Sequence, residues 1–484
     1  MKLTPALIEI LGQDISLSKP DYSAFPVLNP STGAVLAYVR EQGAPEAAAA
    51  VEAAHQAFPA WAAKPAKERA TILKHWHHLL MAHQADLGLL VALEQGRAIT
   101  EARGEVAYAA GFIEWFAEEG KRAYGRTIPA VAAGKQLVTI RQPIGVVGAI
   151  TPWNFPLSML TRKLGPALAA GCTAVVKPSE ETPLCAIALK NLALKAGVPV
   201  GVIGIVTTTH AKPVGDVLTG DERVKKFSFT GSTPVGKALY AQCATTVKKI
   251  SLELGGNAPL VVFDDADLDI AVPAAIQSKY RNSGQTCVCA NRLLVQSGIY
   301  DRFVERFTTE AAKLKLAIGW DETSNLGALI NAKAIEKVER LVADAVAKGA
   351  KLKLGGAVDK AIGDQFYPAT VLADCTPDMA LFEEEIFGPV AAIYKFETEA
   401  DGVRLANDTP FGLASYLFTD SVARAWRVGA QLEAGMVGVN DGVMSTEVAP
   451  FGGVKESGIG REGAVEGLEE YTELKYLSFA GIGA

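Results

Sequence analysis

No uninterrupted apolar run in this chain approaches the roughly 18 residues that a membrane-spanning helix needs. The first residues, Met1-Lys2-Leu3-Thr4-Pro5, lack the charged-then-apolar plan of a signal peptide, so a cytoplasmic protein is the expectation. Cysteine is scarce, six in 484 residues, which excludes a disulfide framework. Cys172, Cys185, Cys243 and Cys375 stand singly in apolar or helical surroundings and read as buried structural thiols. Histidine is equally scarce. His75, His77, His78 and His83 share one helical segment, but no cysteine or carboxylate accompanies them in a ligand-like pattern, so no metal is expected. Excess positive charge is also missing: 47 Lys and Arg stand against 53 Asp and Glu, a net charge of -6. That balance argues against nucleic acid as the partner. It leaves room for a small anionic substrate, because a few pocket arginines can outvote the surface locally. The dinucleotide fingerprint G-x-G-x-x-G opening a helix is lacking too from the strand-and-helix region that begins at Gly145, which argues against an ordinary Rossmann enzyme.

What is present is length enough for two or three domains and 46 glycines, as in α/β enzymes with many tight turns. Residues 45–120 read as long helices, with Leu73, Trp76, Leu79 and Leu80 at helical spacing. Residues 122–143 read as an extended arm or hairpin. From Gly145 short apolar strands alternate with helices: strands at 145–150, 173–177, 203–206, 226–229 and 249–252, helices at 157–170, 182–196, from 211, and 233–242. This is the pattern of a doubly wound parallel sheet, which binds ligands beyond the C-terminal ends of its strands. A second α/β series follows, with strands at 260–263, 292–295, 391–394 and 415–418 and helices at 300–317, 331–348 and 401–407. Residues 475–479 read as a lone edge strand.

Two stretches of the doubly wound region suit a nucleotide. Phe229-Thr230-Gly231-Ser232-Thr233-Pro234-Val235-Gly236-Lys237 leaves a strand and opens a helix, so Gly231 and Ser232 would offer backbone N–H groups and a hydroxyl to a phosphate. It nearly matches the phosphate loop G-x-x-x-x-G-K-[ST], but Ala238 replaces the hydroxyl that would hold magnesium, which disfavours an ATPase. A capped helix without a ligand is the plainer alternative. Lys177-Pro178-Ser179-Glu180 ends the second strand, where such sheets place the contact to the adenosine ribose. Glu180 would accept from the ribose hydroxyls and repel a 2′-phosphate, which favours NAD. Lys177 and Ser179 can still hold a phosphate, so NADP stays open.

Four segments carry reactive chemistry: Thr151-Pro152-Trp153-Asn154-Phe155-Pro156, Glu253-Leu254-Gly255-Gly256-Asn257, Asn282 to Asn291 around Cys287, and Glu384-Glu385-Ile386-Phe387-Gly388-Pro389. Singly, each has a structural reading: a helix cap, a turn, a buried thiol. In this order and spacing, with Pro450-Phe451-Gly452-Gly453-Val454-Lys455, the chain from about residue 25 onward resembles the aldehyde dehydrogenase superfamily. The resemblance implies a thiolate of Cys287 that attacks the aldehyde carbon and passes through a thiohemiacetal to a thioester. It implies Asn154 as oxyanion donor with the Cys287 backbone N–H, and Glu253 as the base that activates water. Glu385 and Phe387 would hold the nicotinamide ribose and ring, with Ile150, Thr151, Trp153 and Gly215 also at the cofactor. Glu253 favours hydrolysis over transfer to CoA, since the CoA-acylating branch generally lacks that base. An inert relative would lack Cys287, Asn154 or Glu253.

Finer details resemble the succinate-semialdehyde dehydrogenases: Cys287-Val288-Cys289, Arg281, Arg162 and the run Ser445-Thr446-Glu447-Val448-Ala449-Pro450. The resemblance implies that Arg162, Arg281 and Ser445 bind the far carboxylate of the substrate. An internal salt bridge is the alternative for either arginine. Succinate and glutarate semialdehyde differ by one methylene, worth about 1–3 kcal/mol in a pocket, and the sequence leaves both open. Cys289 suggests a redox partner for Cys287, or simply a second small residue in a tight loop. The implied architecture is a dinucleotide domain (1–121 and 144–254), a catalytic domain (255–455) and an oligomerisation arm (122–143 with 456–484), assembled as a homodimer or homotetramer.

Overall fold

The computed structural model describes residues 1–481, so the last three residues of the stretch 456–484 lie outside the described residues. Four helices, Ala44–Ala62, Ala66–Ala82, Gln84–Gln95 and Ile99–Glu119, fill the expected helical region. Leu73, Trp76 and Leu80 are buried on their apolar stripe. In front of them lies a feature the sequence pattern did not reveal, a three-stranded sheet of Ile15–Ser16, Val35–Arg40 and Ala24–Leu28.

The alternating region builds a six-stranded sheet. Its order is Gly458–Ile459, Lys249–Glu253, Val224–Thr230, Val146–Ile150, Thr173–Lys177, Ile203–Ile205. All neighbours are parallel except the Gly458–Ile459 edge. The chain runs outward from Val146–Ile150 to Ile203–Ile205, then returns to the other side of Val146–Ile150. The order therefore reverses between Val146–Ile150 and Val224–Thr230, and the loops leaving those two strands diverge to open a crevice. The strands read as continuous apolar runs because both faces are covered.

After Glu253 the chain crosses into a seven-stranded sheet ordered Lys351–Leu354, Thr370–Cys375, Val390–Phe396, Ala290–Gln296, Ala258–Val262, Ala414–Phe418, Met436–Val439. Three of these strands, Lys351–Leu354, Thr370–Cys375 and Met436–Val439, escaped the sequence pattern. Two expected helices shift. That at 300–317 ends at Ala311, where the chain turns into the bridge Leu316 to Leu326, and that at 401–407 begins at Glu399, set by the Thr398 cap.

A third sheet stands apart. Arg126–Ile128 and Lys135–Pro143 form a hairpin, and Thr472–Ala480 pairs antiparallel along the whole of Lys135–Pro143. The lone strand expected at 475–479 is thus longer and has a partner. Gly458–Ile459, from the stretch assigned to the arm, instead edges the six-stranded sheet, because its backbone pairs with Leu252 and Glu253.

Candidate active site

The C-terminal ends of the six-stranded sheet meet the N-terminal ends of the seven-stranded one. From the first come Pro152, Trp153 and Asn154, then Thr230, Gly231 and Ser232, then Glu253. From the second come Gly255 before Ala258–Val262, Cys287 before Ala290–Gln296, and Glu385 and Phe387 before Val390–Phe396. Together with Met159, Lys333 and Lys337 they line one cavity of about 340 Å³. Three neighbouring strands of one sheet and the switch point of the other thus converge on the residues that the sequence singled out.

The cofactor half of this cavity has free groups. Ser232 caps the helix Thr233–Cys243 without using its hydroxyl on that helix, and the Thr230 hydroxyl is buried without a partner. Trp153 and Phe387 meet edge to face at 5.6 Å. Glu385 accepts from the Gly256 N–H at 3.1 Å, and burial pushes its carboxyl up to about 7. Thr151 N–H donates to the Lys177 carbonyl, tying the ends of two strands. Lys177 pairs with the half-exposed Glu180 at 2.9 Å, and the Ser179 hydroxyl accepts from the Glu181 N–H. Gly215 lies on the helix Ala211–Gly220 against Ile150 and Leu239. A helix N-terminus with an unused hydroxyl, an aromatic pair and unpartnered polar groups in one cavity fit a nicotinamide dinucleotide.

The cysteine loop is held in a demanding shape. Asn282, Ser283 and Gly284 take φ of +52°, +54° and +74° in succession. A Cβ on Gly284 would stand 2.1 Å from the Gly388 carbonyl, and one on Gly256 2.5 Å from the Cys287 carbonyl. These glycines let three loops approach closely. A buried clamp fixes the result. Arg97 hydrogen-bonds Glu105, the Asn154 carbonyl and, at 3.0 Å, Asn282 Oδ1. Asn282 Nδ2 donates to the Asn154 and Gln285 carbonyls, and Asn154 Nδ2 donates to Gln285 at 3.1 Å. The other Glu105 oxygen receives the N–H groups of Leu157 and Ser158 at the start of the helix Ser158–Ala170. The Asn154 amide and the Cys287 loop are thereby one rigid unit.

Burial pushes the Cys287 thiol up to about 12; the Glu385 carboxylate adds to this, and Arg162 opposes it. Both Glu253 oxygens are buried without a protein partner. Burial, then the nearby Glu462 carboxylate, raise the Glu253 carboxyl well above its ordinary range, against the pull of Arg162, Lys163 and Arg461. Glu462 is itself buried, 2.6 Å from Lys163 Nζ and 3.3 Å from Arg162 Nε. Arg97, Glu105, Asn282, Lys163 and Glu462 had no role in the sequence reading.

Cys287 and Met159 also line a second, small cavity with Arg162, Arg281 and Ser445. The three residues expected at an anionic group therefore share one space with the thiol. Arg162 is buried, donates to the Tyr108 hydroxyl at 3.0 Å and lies over Phe451. Its contact with Glu462 realises the internal pairing weighed for it, on one side of the guanidinium. Among the described residues Arg281 makes no ion pair; it lies over Phe155 at 5.0 Å. Cys289 is buried and free, its thiol donating to the Lys279 carbonyl at 3.4 Å.

The chain matches the aldehyde dehydrogenase family model over residues 17–477. It is 55% identical to a succinate-semialdehyde dehydrogenase [NADP(+)] of Escherichia coli (strain K12), with 94% of each chain covered. It is 53% identical to a glutarate-semialdehyde dehydrogenase of Pseudomonas aeruginosa, again over 94% of each. The crystal structure of succinate-semialdehyde dehydrogenase from Burkholderia pseudomallei superimposes with a TM-score of 0.95 at 51% identity, over 99% of both chains. With a two-sheet crevice whose cavity is lined by a thiol, an amide and a carboxylate, and a match along nearly its whole length, this chain belongs to the aldehyde dehydrogenase family.

Proposed function

We propose that this enzyme oxidises succinate semialdehyde to succinate, with NAD as the preferred acceptor. The observation that carries the proposal is the shared cavity of Cys287, Arg162, Arg281 and Ser445. A C4 aldehyde-acid has its two functional ends close together, and this cavity offers a nucleophile to one and cations to the other. The named activities of the similar E. coli and Burkholderia proteins support the same substrate.

In this reading the Cys287 thiolate attacks the aldehyde carbon. The Asn154 side chain and the Cys287 backbone N–H stabilise the oxyanion, a contribution of about 3 kcal/mol per donor. When bound, the nicotinamide cofactor supplies the acceptor for the hydride that leaves the thiohemiacetal carbon, which becomes a thioester. Glu253 then takes a proton from water as its oxygen attacks the thioester, and the thiolate of Cys287 departs. Lys177, Ser179 and Glu180 would hold the adenosine ribose, Ser232 and the Gly231 backbone the pyrophosphate, and Glu385, Phe387 and Trp153 the nicotinamide end. Ile150, Thr151 and Gly215 would form the wall. Glu180 favours a free 2′-hydroxyl, hence NAD over NADP. We further place the enzyme in the cytoplasm as a homo-oligomer, and assign Cys289 as a reversible redox partner of Cys287.

Steady-state kinetics test the substrate and cofactor together. With succinate semialdehyde, glutarate semialdehyde and butanal, each with NAD and NADP, kcat/KM for succinate semialdehyde should exceed that for butanal by about 100-fold or more, since charged hydrogen bonds contribute roughly 1.5–3 kcal/mol each. A preference for butanal overturns the arginine assignment. A tenfold preference for glutarate semialdehyde or for NADP overturns the chain length or the role of Glu180.

A further inference from the structure

We propose that Tyr108 is a fourth member of the substrate-carboxylate site, its hydroxyl accepting from Arg162 while donating to the carboxylate. The inference rests on the reading of the substrate as an anionic aldehyde. Tyr108 comes from the helix Ile99–Glu119, remote in sequence from the segments that carry Arg162, Arg281, Cys287 and Ser445. It lines the small cavity with Cys287, Arg162, Arg281 and Ser445. It also lines an adjoining cleft of about 410 Å³, which shares Arg281 and Phe155. It therefore stands where the space beside the thiol opens outward.

Hydrogen-bond inventory gives the direction. A guanidinium has only donors, so the 3.0 Å contact makes the Tyr108 oxygen an acceptor from Arg162 Nη2. The phenolic proton must then point elsewhere. Among the described residues nothing accepts it, nor does the Ser445 hydroxyl or the Arg281 guanidinium have a hydrogen-bond partner there. Tyr108 O–H, Ser445 O–H and the two arginines are thus donors around one small space. The carboxylate whose charge acts on the phenol, Glu447 beside Gly111, accepts from the Thr446 hydroxyl. Burial holds the phenol protonated, against the pull of Arg162 and Arg281, so it is a donor at neutral pH. The ring is fixed edge to face on Phe112, 5.0 Å between centroids. Convergent donors without an acceptor form a site for an anion with several lone pairs, and a carboxylate is the anion at the end of such an aldehyde.

Tyr108→Phe removes one oxygen and leaves the ring packing in place. In the full-length enzyme the KM for succinate semialdehyde should rise about tenfold, and its kcat/KM relative to butanal should fall by the same factor. The melting temperature should be unchanged. Succinate binding, measured calorimetrically on the same variant, should weaken about tenfold and gives a readout independent of turnover. If wild type strongly prefers the anionic aldehyde and the variant keeps that ratio within twofold, the role of Tyr108 is overturned and the substrate reading stands. Equal loss on both aldehydes overturns it as well, by showing a structural role. If wild type shows no preference for the anion, the substrate reading falls and takes this inference with it.

Discussion

Glu253, the base of the proposed mechanism, illustrates how a side chain takes its chemistry from residues that have no part in that mechanism. A carboxylate at the crevice is a ready base only when ionised, and burial disfavours that form. Glu462 disfavours it further, while Arg162, Lys163 and Arg461 favour it. The sign of a change at Glu462 follows directly. Glu462→Gln removes a like charge and frees two cations, and both effects lower the Glu253 carboxyl. The acid limb of thioester hydrolysis, followed by single-turnover kinetics across pH, should then move to lower pH by about one unit or more. Movement to higher pH would mean that Lys163 and Arg162 lose their positions without Glu462, and that Glu462 acts by placing cations rather than by its charge.

Among elements, the loop from Asn282 to Cys289 concentrates both constraint and opportunity. Its left-handed residues and the Arg97 clamp hold Cys287 rigidly, whereas the Cys289 thiol makes only weak donations, to the Lys279 and Ala290 carbonyls. A disulfide between them requires the Cys289 side chain to leave those carbonyls, and both thiols are held largely protonated by burial. Slow oxidation by peroxide, fully reversed by dithiothreitol, is therefore expected in wild type. In Cys289→Ala the inactivation should persist but resist reversal, because the Cys287 sulfenic acid then lacks a resolving thiol and oxidises further. Equal rates and equal recovery in both proteins would eliminate Cys289 as a redox partner. The same loop shows what the sequence could reveal. Cys287, Asn154 and Glu385 are legible because short motifs surround them. Lys163 and Glu462 are not, being 299 residues apart and meeting only in the folded chain. Tyr108 sits in an ordinary helical pattern, and nothing local distinguishes it from a packing residue. The strand Thr370–Cys375 was hidden for another reason: Asp374 at φ +53° and a register shift break its pattern.

At the scale of the molecule, the open edges of two sheets are the unresolved expense of this fold. Thr472–Ala480 pairs with Lys135–Pro143 on one side only, and Met436–Val439 ends the seven-stranded sheet. Unpaired strand edges invite pairing with another chain unless charge, proline or a covering element blocks them. Here the outer strand carries the charges Glu473 and Lys475 on one face, but Leu474 and Tyr476, 50% and 55% exposed and two residues apart, on the other. Apolar side chains and a free edge on the same nine-residue strand are suited to a symmetric contact between copies. Light scattering on the purified enzyme should accordingly give two or four times the 51.0 kDa chain mass. The double substitution Leu474→Asp and Tyr476→Asp should shift it to a smaller species, because two charges would be buried without partners in the interface. Circular dichroism should show the helices intact, since both side chains point away from the core. A wild-type mass of one chain, or an assembly indifferent to both substitutions, would rule out this strand as the interface.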